Sequence, residues 1–390
     1  MAQGTLAVQL TIGGAEPITS GKVVISDDTG QELYTLYTNE SGKTIPVTLE
    51  APPAEYSLGV GEPQPYSAYN IRITADGFKD VVINGVQVFA GTEALQNVAM
   101  TAGQGEIVIN IPPPVLWGDY PEKEPEEEVK EIPPETGFVV LDRVVIPEYV
   151  VVKDGPPSGG AMFTMCRQDY IKNVASVKFI LPGQACRKSL LYSHCFKQGF
   201  RMVARLNFNT NSTDMKAFNY GRTIYEDISI IVDEMFTNYI KREGEIQPLF
   251  AQYCDGRNVV CPNWLSQWGS AALAEQGYSA MDILRYYYGN DIYLEQAESV
   301  SGVPVSFPGE NLTIGSRGND VRTIQSQLNT ISRTYSAIPR LAVDGVYGEA
   351  TVESVKAFQN IFNMPQTGIV DLATWYQISQ IYVALERLAE

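Results

Sequence analysis

The chain has 390 residues, 44% of them hydrophobic, and carries 45 acidic against 28 Lys plus Arg side chains for a formal net charge of −17. That length suits two or three domains with separate cores, and that charge disfavours nucleic acid as a partner, because phosphate affinity is built from clustered Lys and Arg. Five cysteines, an odd number at irregular spacing, argue against a disulfide framework.

The opening MAQGTLAVQLTIGG lacks a basic segment followed by a continuous apolar one, and no later run approaches the ~20 apolar residues of a membrane helix. The expectation is therefore no ordinary secretory signal, no membrane anchor and no membrane partner. Along the first hundred residues the chain alternates. Leu6, Val8, Leu10 and Ile12 fall on one face of a period-2 strand. Further strand-like runs, GKVVIS, YNIRIT and DVVINGVQVF, are separated by turn chemistry such as Asp76-Gly77. The reading for 1–105 is a small antiparallel β-sandwich.

Residues 106–136 form a linker, dense in proline and glutamate from Pro112 onward. Proline removes donors and like charges repel, so an extended, solvated, protease-accessible segment is expected. The block 137–300 mixes strands (FVVLDRVVIPEYVVV) with helices, giving an α+β domain. Within it 223–242 places Ile224, Ile228, Ile231, Met235 and Tyr239 at spacings of three and four, an amphipathic helix.

Between Ile171 and Thr213 lies an anomaly. The span holds no Asp or Glu, yet it contains seven basic residues, Cys186, Cys195 and the only histidine, His194. A His194–Cys195 catalytic pair is disfavoured, because adjacent residues rarely face each other as a dyad must. The run of Arg187, Lys188, Lys197, Arg201 and Arg205 reads as a solvated face rather than a patch for anionic polymers.

In 308–390 a helix starts at Gly318-Asn319-Asp320, with Asn or Asp as N-cap and Val321, Ile324, Leu328 and Ile331 inward. A second runs from Glu349 and a third begins near Asp371, carrying Leu372, Trp375, Ile378 and Leu385. The fold class is thus multidomain α+β: an N-terminal β-sandwich, a central α+β domain and a C-terminal three-helix bundle.

The stretches LTIGSRGNDVRTIQSQL, VDGVYGEATVESVKAFQ and TGIVDLATW closely resemble the three-helix peptidoglycan-binding domain found at the ends of many cell-wall hydrolases. The resemblance implies a glycan-and-peptide site around Asp344, Gly345, Tyr347, Gly348 and Trp375, with Tyr347 presented as an aromatic surface. Upstream, LFAQYCDGRNVVCPNWLSQWGSAALAEQGYSAMDILRYYYGNDI resembles the core of lytic transglycosylases like the stage II sporulation protein D. The whole order resembles the germination-specific spore cortex-lytic enzymes of clostridia, the SleC family.

That resemblance implies a zymogen of the bacterial spore cortex or coat region. Its partners would be cortex peptidoglycan and a germination protease cutting within 112–150, and it would require no cofactor. It implies a cleft at Tyr253, Ser266, Gln267, Trp268 and Gly269. For Cys254 and Cys261 two readings stay open: a zinc site, as related enzymes have nearby, or a plain thiol pair or disulfide, which the loose spacing favours. The family's catalytic glutamate follows a segment matched here by Asp169-Tyr170-Ile171-Lys172-Asn173-Val174-Ala175-Ser176. Its position is taken by Lys178. DNA encoding Val177 to Gln184 can, with one added nucleotide, read Ser-Glu-Ile-Tyr-Pro-Thr-Trp-Pro, the family's catalytic context. Residues 177–210 therefore read as an out-of-frame segment, which the gene sequence tests. A catalytically dead wall-binding protein is the alternative function.

Overall fold

The computed structural model describes residues 2–389 except 54–55, 57–62, 115–143, 147–148, 155–160, 179–217, 247, 250, 252, 255–264, 298 and 301–302. The mixed α+β multidomain architecture is as expected, with seven helices among the described residues. The strands are β1 (Ala2–Ile12), β2 (Glu16–Pro17), β3 (Lys22–Ser26), β4 (Glu32–Tyr37), β5 (Val47–Ala51), β6 (Tyr66–Thr74), β7 (Asp80–Phe89), β8 (Glu93–Met100) and β9 (Glu106–Asn110) in the N-terminal part. Then follow β10 (Val145–Ile146), β11 (Tyr149–Asp154), β12 (Ala161–Cys166), β13 (Ile224–Tyr225), β14 (Asn238–Arg242), β15 (Tyr253–Cys254), β16 (Leu265–Ser266), β17 (Ile292–Gln296) and β18 (Ser299–Val300). The helices are α1 (Arg167–Lys178), α2 (Glu226–Met235), α3 (Gln267–Glu275), α4 (Ala280–Tyr288), α5 (Asn319–Ile331), α6 (Glu349–Ile361) and α7 (Leu372–Ala389).

Two five-stranded sheets enclose the N-terminal core. One has the order β4-β3-β6-β7-β9, and the other runs β13-β8-β1-β2 with β5 also on β1. Leu6, Val8 and Leu10 of β1 are buried between the sheets, as the alternation requires. The sandwich is not wholly antiparallel: β1 pairs with β8, and β7 with β9, in parallel. Parallel neighbours need a long connection, and the excursion through β2–β7 supplies one for β1 and β8.

The second sheet draws its outer strand from beyond the linker. Ile224 and Tyr225 pair antiparallel with Leu95 and Ala94. Gln96 Nε2 donates to Gly221 O at 2.7 Å, and Thr223 Oγ1 donates to Gln96 Oε1 at 2.7 Å. Tyr225 lies edge-on to Phe89, ring centroids 5.5 Å apart. One continuous core therefore joins the sandwich to α1 and α2.

This pairing corrects the single helix expected over 223–242. Only Glu226–Met235 is helical, with strand on either side. Ile224 and Tyr225 favour extended backbone and have an open sheet edge to satisfy their polar groups. Tyr239 and Ile240 likewise pair with Glu295 and Leu294 of β17.

The C-terminal helices pack around Ile324, Leu328, Val355, Phe358, Trp375 and Ile378, all buried in a second core. Gly318, not Asn319 or Asp320, is the N-cap of α5, with φ of 127° and no side-chain capping bond. At α7 a side chain does cap the helix: Asp371 Oδ1 accepts from Thr374 N at 2.9 Å. The bundle also meets the rest of the molecule. Phe236 lies edge-on to Tyr376, Lys43 Nζ donates to Asn363 Oδ1 at 2.5 Å, and the Tyr335 hydroxyl donates to Ala15 O.

Candidate functional site

The loops of the bundle are fixed by two glutamines in equivalent places. Gln325 of α5 is 1% exposed. Its Nε2 donates to Asp344 Oδ1 at 2.9 Å and to Val346 O at 3.1 Å, while its Oε1 accepts from Gly345 N at 2.9 Å. Gln359 of α6 does the same one loop later. It donates to Thr367 Oγ1 at 3.1 Å, Ile369 O at 3.0 Å and Thr374 Oγ1 at 3.1 Å, and accepts from Gly368 N at 2.9 Å. Each loop needs a left-handed residue at its turn, Gly345 at φ +76° and Gly368 at φ +66°. A side chain on Gly345 would also meet Arg322 and the Gly318 carbonyl.

Asp344 is drawn into the same turn. The Val346 N–H, then Gln325, hold its carboxyl below the usual carboxylate range, and an Arg322 guanidinium N–H donates to its backbone carbonyl at 3.3 Å. Tyr347 does not present its ring. It is 1% exposed, and its hydroxyl donates to Gly368 O at 3.0 Å, linking the two loops. Trp375 is likewise internal, with Nε1 donating to Val305 O at 3.0 Å and the ring edge-on to Phe307. The aromatic surface expected at Tyr347 is therefore corrected: the loop buries the ring because its hydroxyl has a backbone partner inside. Gly348 caps α6, and Arg322, Val343 and Asp344 remain exposed on this side.

In the middle block the expected cleft motif stands at a strand-to-helix corner. The Ser266 side chain accepts from Gly269 N at 2.9 Å and caps α3. The Tyr287 hydroxyl bonds the same serine, and a Cβ on Gly269 would fall 2.1 Å from that hydroxyl oxygen. Ser266 and Gly269 therefore hold the corner in shape. Tyr253 and Cys254 pair with Leu265 and Ser266 in a short parallel ribbon, which brings Tyr253 to the strand that leads into the Ser266–Gly269 corner. The side chains of Tyr253, Cys254, Gln267 and Trp268 lie outside the described residues, as does Cys261. Among the described residues no three His, Cys, Asp or Glu side chains gather as a metal site requires.

Lys178 is the last residue of α1, and its side chain lies outside the described residues. So do His194, Cys186, Cys195, the basic run, most of the anomalous 177–210 segment and 115–143 of the linker. One turn and more before Lys178, α1 carries a buried polar cluster. Lys172 Nζ lies 2.7 Å from Asp233 Oδ1 of α2 and donates to Oδ2 at 2.8 Å. Gln168 Nε2 donates to Asp233 Oδ1 at 3.3 Å. Burial pushes the Asp233 carboxyl up, against the pull of Lys172. Asp169 beside it is exposed and lines a cavity of about 290 Å³.

Sequence reasoning passed over Gln325, Gln359 and Asp233. Gln325 and Gln359 carried a signal: each lies on its helix among core positions, where an amide must find partners. Asp233 carried one as well, since it lies on the face of α2 where Ser229 and Val232 turn inward.

Residues 317–378 match the family described as "Putative peptidoglycan binding domain". No curated protein matches the chain. Among solved structures, the Bacillus anthracis TIE protein is similar at 17% identity over 28% of this chain and 16% of that one, with a TM-score of 0.15. That overlap is too slight to bear on the fold.

Proposed function

We propose that this protein binds peptidoglycan of the bacterial spore cortex through its 308–390 bundle. The carrying observation is the peptidoglycan-binding match over 317–378, which falls on the bundle whose loops Gln325 and Gln359 hold rigid. Exposed Arg322, Val343 and Asp344 offer a charged, partly apolar rim of the kind that suits a peptide-bearing glycan.

A second reading is a cortex-lytic transglycosylase made as a zymogen and cut in the linker by a germination protease. It is supported by the ordered corner at Ser266 and Gly269, where the resemblance places the cleft. Such an enzyme needs one carboxyl group that protonates the glycosidic oxygen and then takes the C6 hydroxyl proton, leaving a 1,6-anhydro end. A lysine cation at position 178 does not supply that proton at neutral pH without a large fall in its pKa. Wall binding is therefore the first reading and cleavage the second.

Two measurements test them. Sedimentation with purified cortex peptidoglycan should pull the full chain down, and Arg322→Ala should weaken that binding severalfold; a chain that stays in the supernatant refutes the first reading. Mass spectrometry of muropeptides from decoated spores, treated with protein cut in the linker, should show no 1,6-anhydromuramic ends. Their appearance would establish the enzyme despite Lys178. If they are absent, restoring Ser-Glu-Ile-Tyr at 177–180 should generate them only where the flanking segment also folds.

A further inference from the structure

From Val321 to Val343 the chain has no Asp or Glu but three arginines, in a protein with 45 acidic against 28 Lys plus Arg side chains. The structure gathers those arginines on one ledge of the bundle. Arg322, Ser326 and Arg333 are exposed on α5, and with Asn329 they follow one another at intervals of three and four, a single helical stripe. Arg322 and Arg333 stand about 16 Å apart along its axis. The chain then returns beside the stripe. Asn329 clamps it, with Nδ2 donating to Leu341 O at 2.8 Å and Oδ1 accepting from Leu341 N at 2.7 Å, and Ser354 Oγ of α6 donates to Pro339 O at 3.1 Å. Arg340, between these two fixed residues, is exposed beside the middle of the stripe, and exposed Ala342 and Val343 follow it.

The carboxylates around the ledge have other partners. Asp344 accepts from Val346 N and from Gln325 Nε2, each at 2.9 Å. Glu40 of the sandwich accepts from Ser336 Oγ at 2.8 Å, and Glu353 of α6 holds Lys356 at 3.3 Å. Arg333 and Arg340 lie within salt-bridge distance of no carboxylate among the described residues. Both are exposed, so their donors are within a ligand's reach. On a chain of net charge −17, an anionic partner is drawn to such a ledge rather than to the acidic surface around it.

We propose that this ledge takes the free carboxylates of the wall polymer's peptide branches, with Arg333 and Arg340 as the residues that select them. The ledge has this role only if the bundle binds the wall, as proposed above. A guanidinium matches a carboxylate through two parallel N–H donors. Ala342 and Val343, the latter 48% exposed, lie between Arg340 and the Arg322 end, where short peptide side chains can pack. A run of phosphodiesters would leave that apolar stretch unused.

The test is sedimentation of the full chain with purified peptidoglycan, either intact or with its carboxyl groups converted to amides, and with soluble poly-D-glutamate or polyglycerol phosphate as competitor. The chain should bind the intact polymer and bind the amidated one at least about tenfold more weakly, the loss expected when charged hydrogen bonds are removed. The double change Arg333→Gln with Arg340→Gln should weaken binding to the intact polymer by a similar factor, with circular dichroism confirming its fold. Arg72→Gln, which removes a positive charge from the sandwich instead, should leave binding as it was. Equal binding of intact and amidated polymer, or full affinity in the folded double variant, would overturn the proposal and leave the wall-binding reading standing. Displacement by polyglycerol phosphate at lower concentration than by poly-D-glutamate would overturn it in favour of a phosphate polymer. Failure to sediment with either form of peptidoglycan would refute both readings together.

Discussion

Gln325 and Gln359 show how a single side chain can specify a loop. Each amide satisfies the N–H of a left-handed glycine and the carbonyl of the residue after it. Replacing Gln325 by leucine keeps the volume but strands Gly345 N–H and Val346 O, which should cost about 2–4 kcal/mol for the buried groups. Hydrogen exchange checks it locally: the Gly345 amide should lose protection while Gly368 keeps its own. Asp344 acts in the same turn through charge. Its folded pKa lies below the unfolded value, so its contribution is complete above the unfolded value and fades as pH falls through the folded one. The bundle should therefore melt more easily near pH 3 than near pH 6, and Asp344→Asn should flatten that dependence in thermal scans. For the buried pair, Asp233→Asn removes the carboxylate that holds Lys172 and should cost roughly 3–5 kcal/mol. The double change Lys172→Met with Asp233→Leu should recover most of it, as denaturant titration would read. Apart from the Val346 N–H two positions beyond Asp344, these partners were not legible from spacing, because each joins residues many positions apart.

Among the elements, the strongest periodicities translated most faithfully. The inward face of α5 is set by local spacing against a core and formed as read, whereas β1, read as a half-buried strand, is buried on both faces, Ala7 and Gln9 included. The stretch from Thr223 to Arg242 departed because its ends found strand partners that no local pattern announces: β8 for Ile224–Tyr225 and β17 for Asn238–Arg242. A helical spacing of apolar residues fits an amphipathic helix, but it cannot register an open sheet edge elsewhere in the chain. Tyr347 followed the same rule at the candidate site. Its loop was legible, but the inward turn of its ring depended on the Gly368 carbonyl. Tyr225→Ala tests the importance of the borrowed strand. It removes a buried ring packed on Phe89, and a loss of about 3–5 kcal/mol is expected, with exchange protection falling in β8 as well as in α2.

For the molecule as a whole, the sandwich and the parts beyond the linker share a core and a sheet. A cut in the linker should therefore not release the N-terminal part. The fragments should co-elute in size-exclusion chromatography under native buffer and separate only in denaturant. Any activation by such a cut would then require a further step that peels β8 away from Ile224–Tyr225.

The same borrowed strand has a consequence for the spacer between the two halves. Because β8 and β13 hold the two halves together by register and side-chain contact, the linker between β9 and β10 needs only to reach. Closure of a flexible loop loses just ~0.6 kcal/mol for each doubling of its length. The proline- and glutamate-rich segment is thus free to lengthen, shorten or accept an inserted recognition sequence with little effect on the fold, so its composition can drift or be engineered independently of the domains it joins.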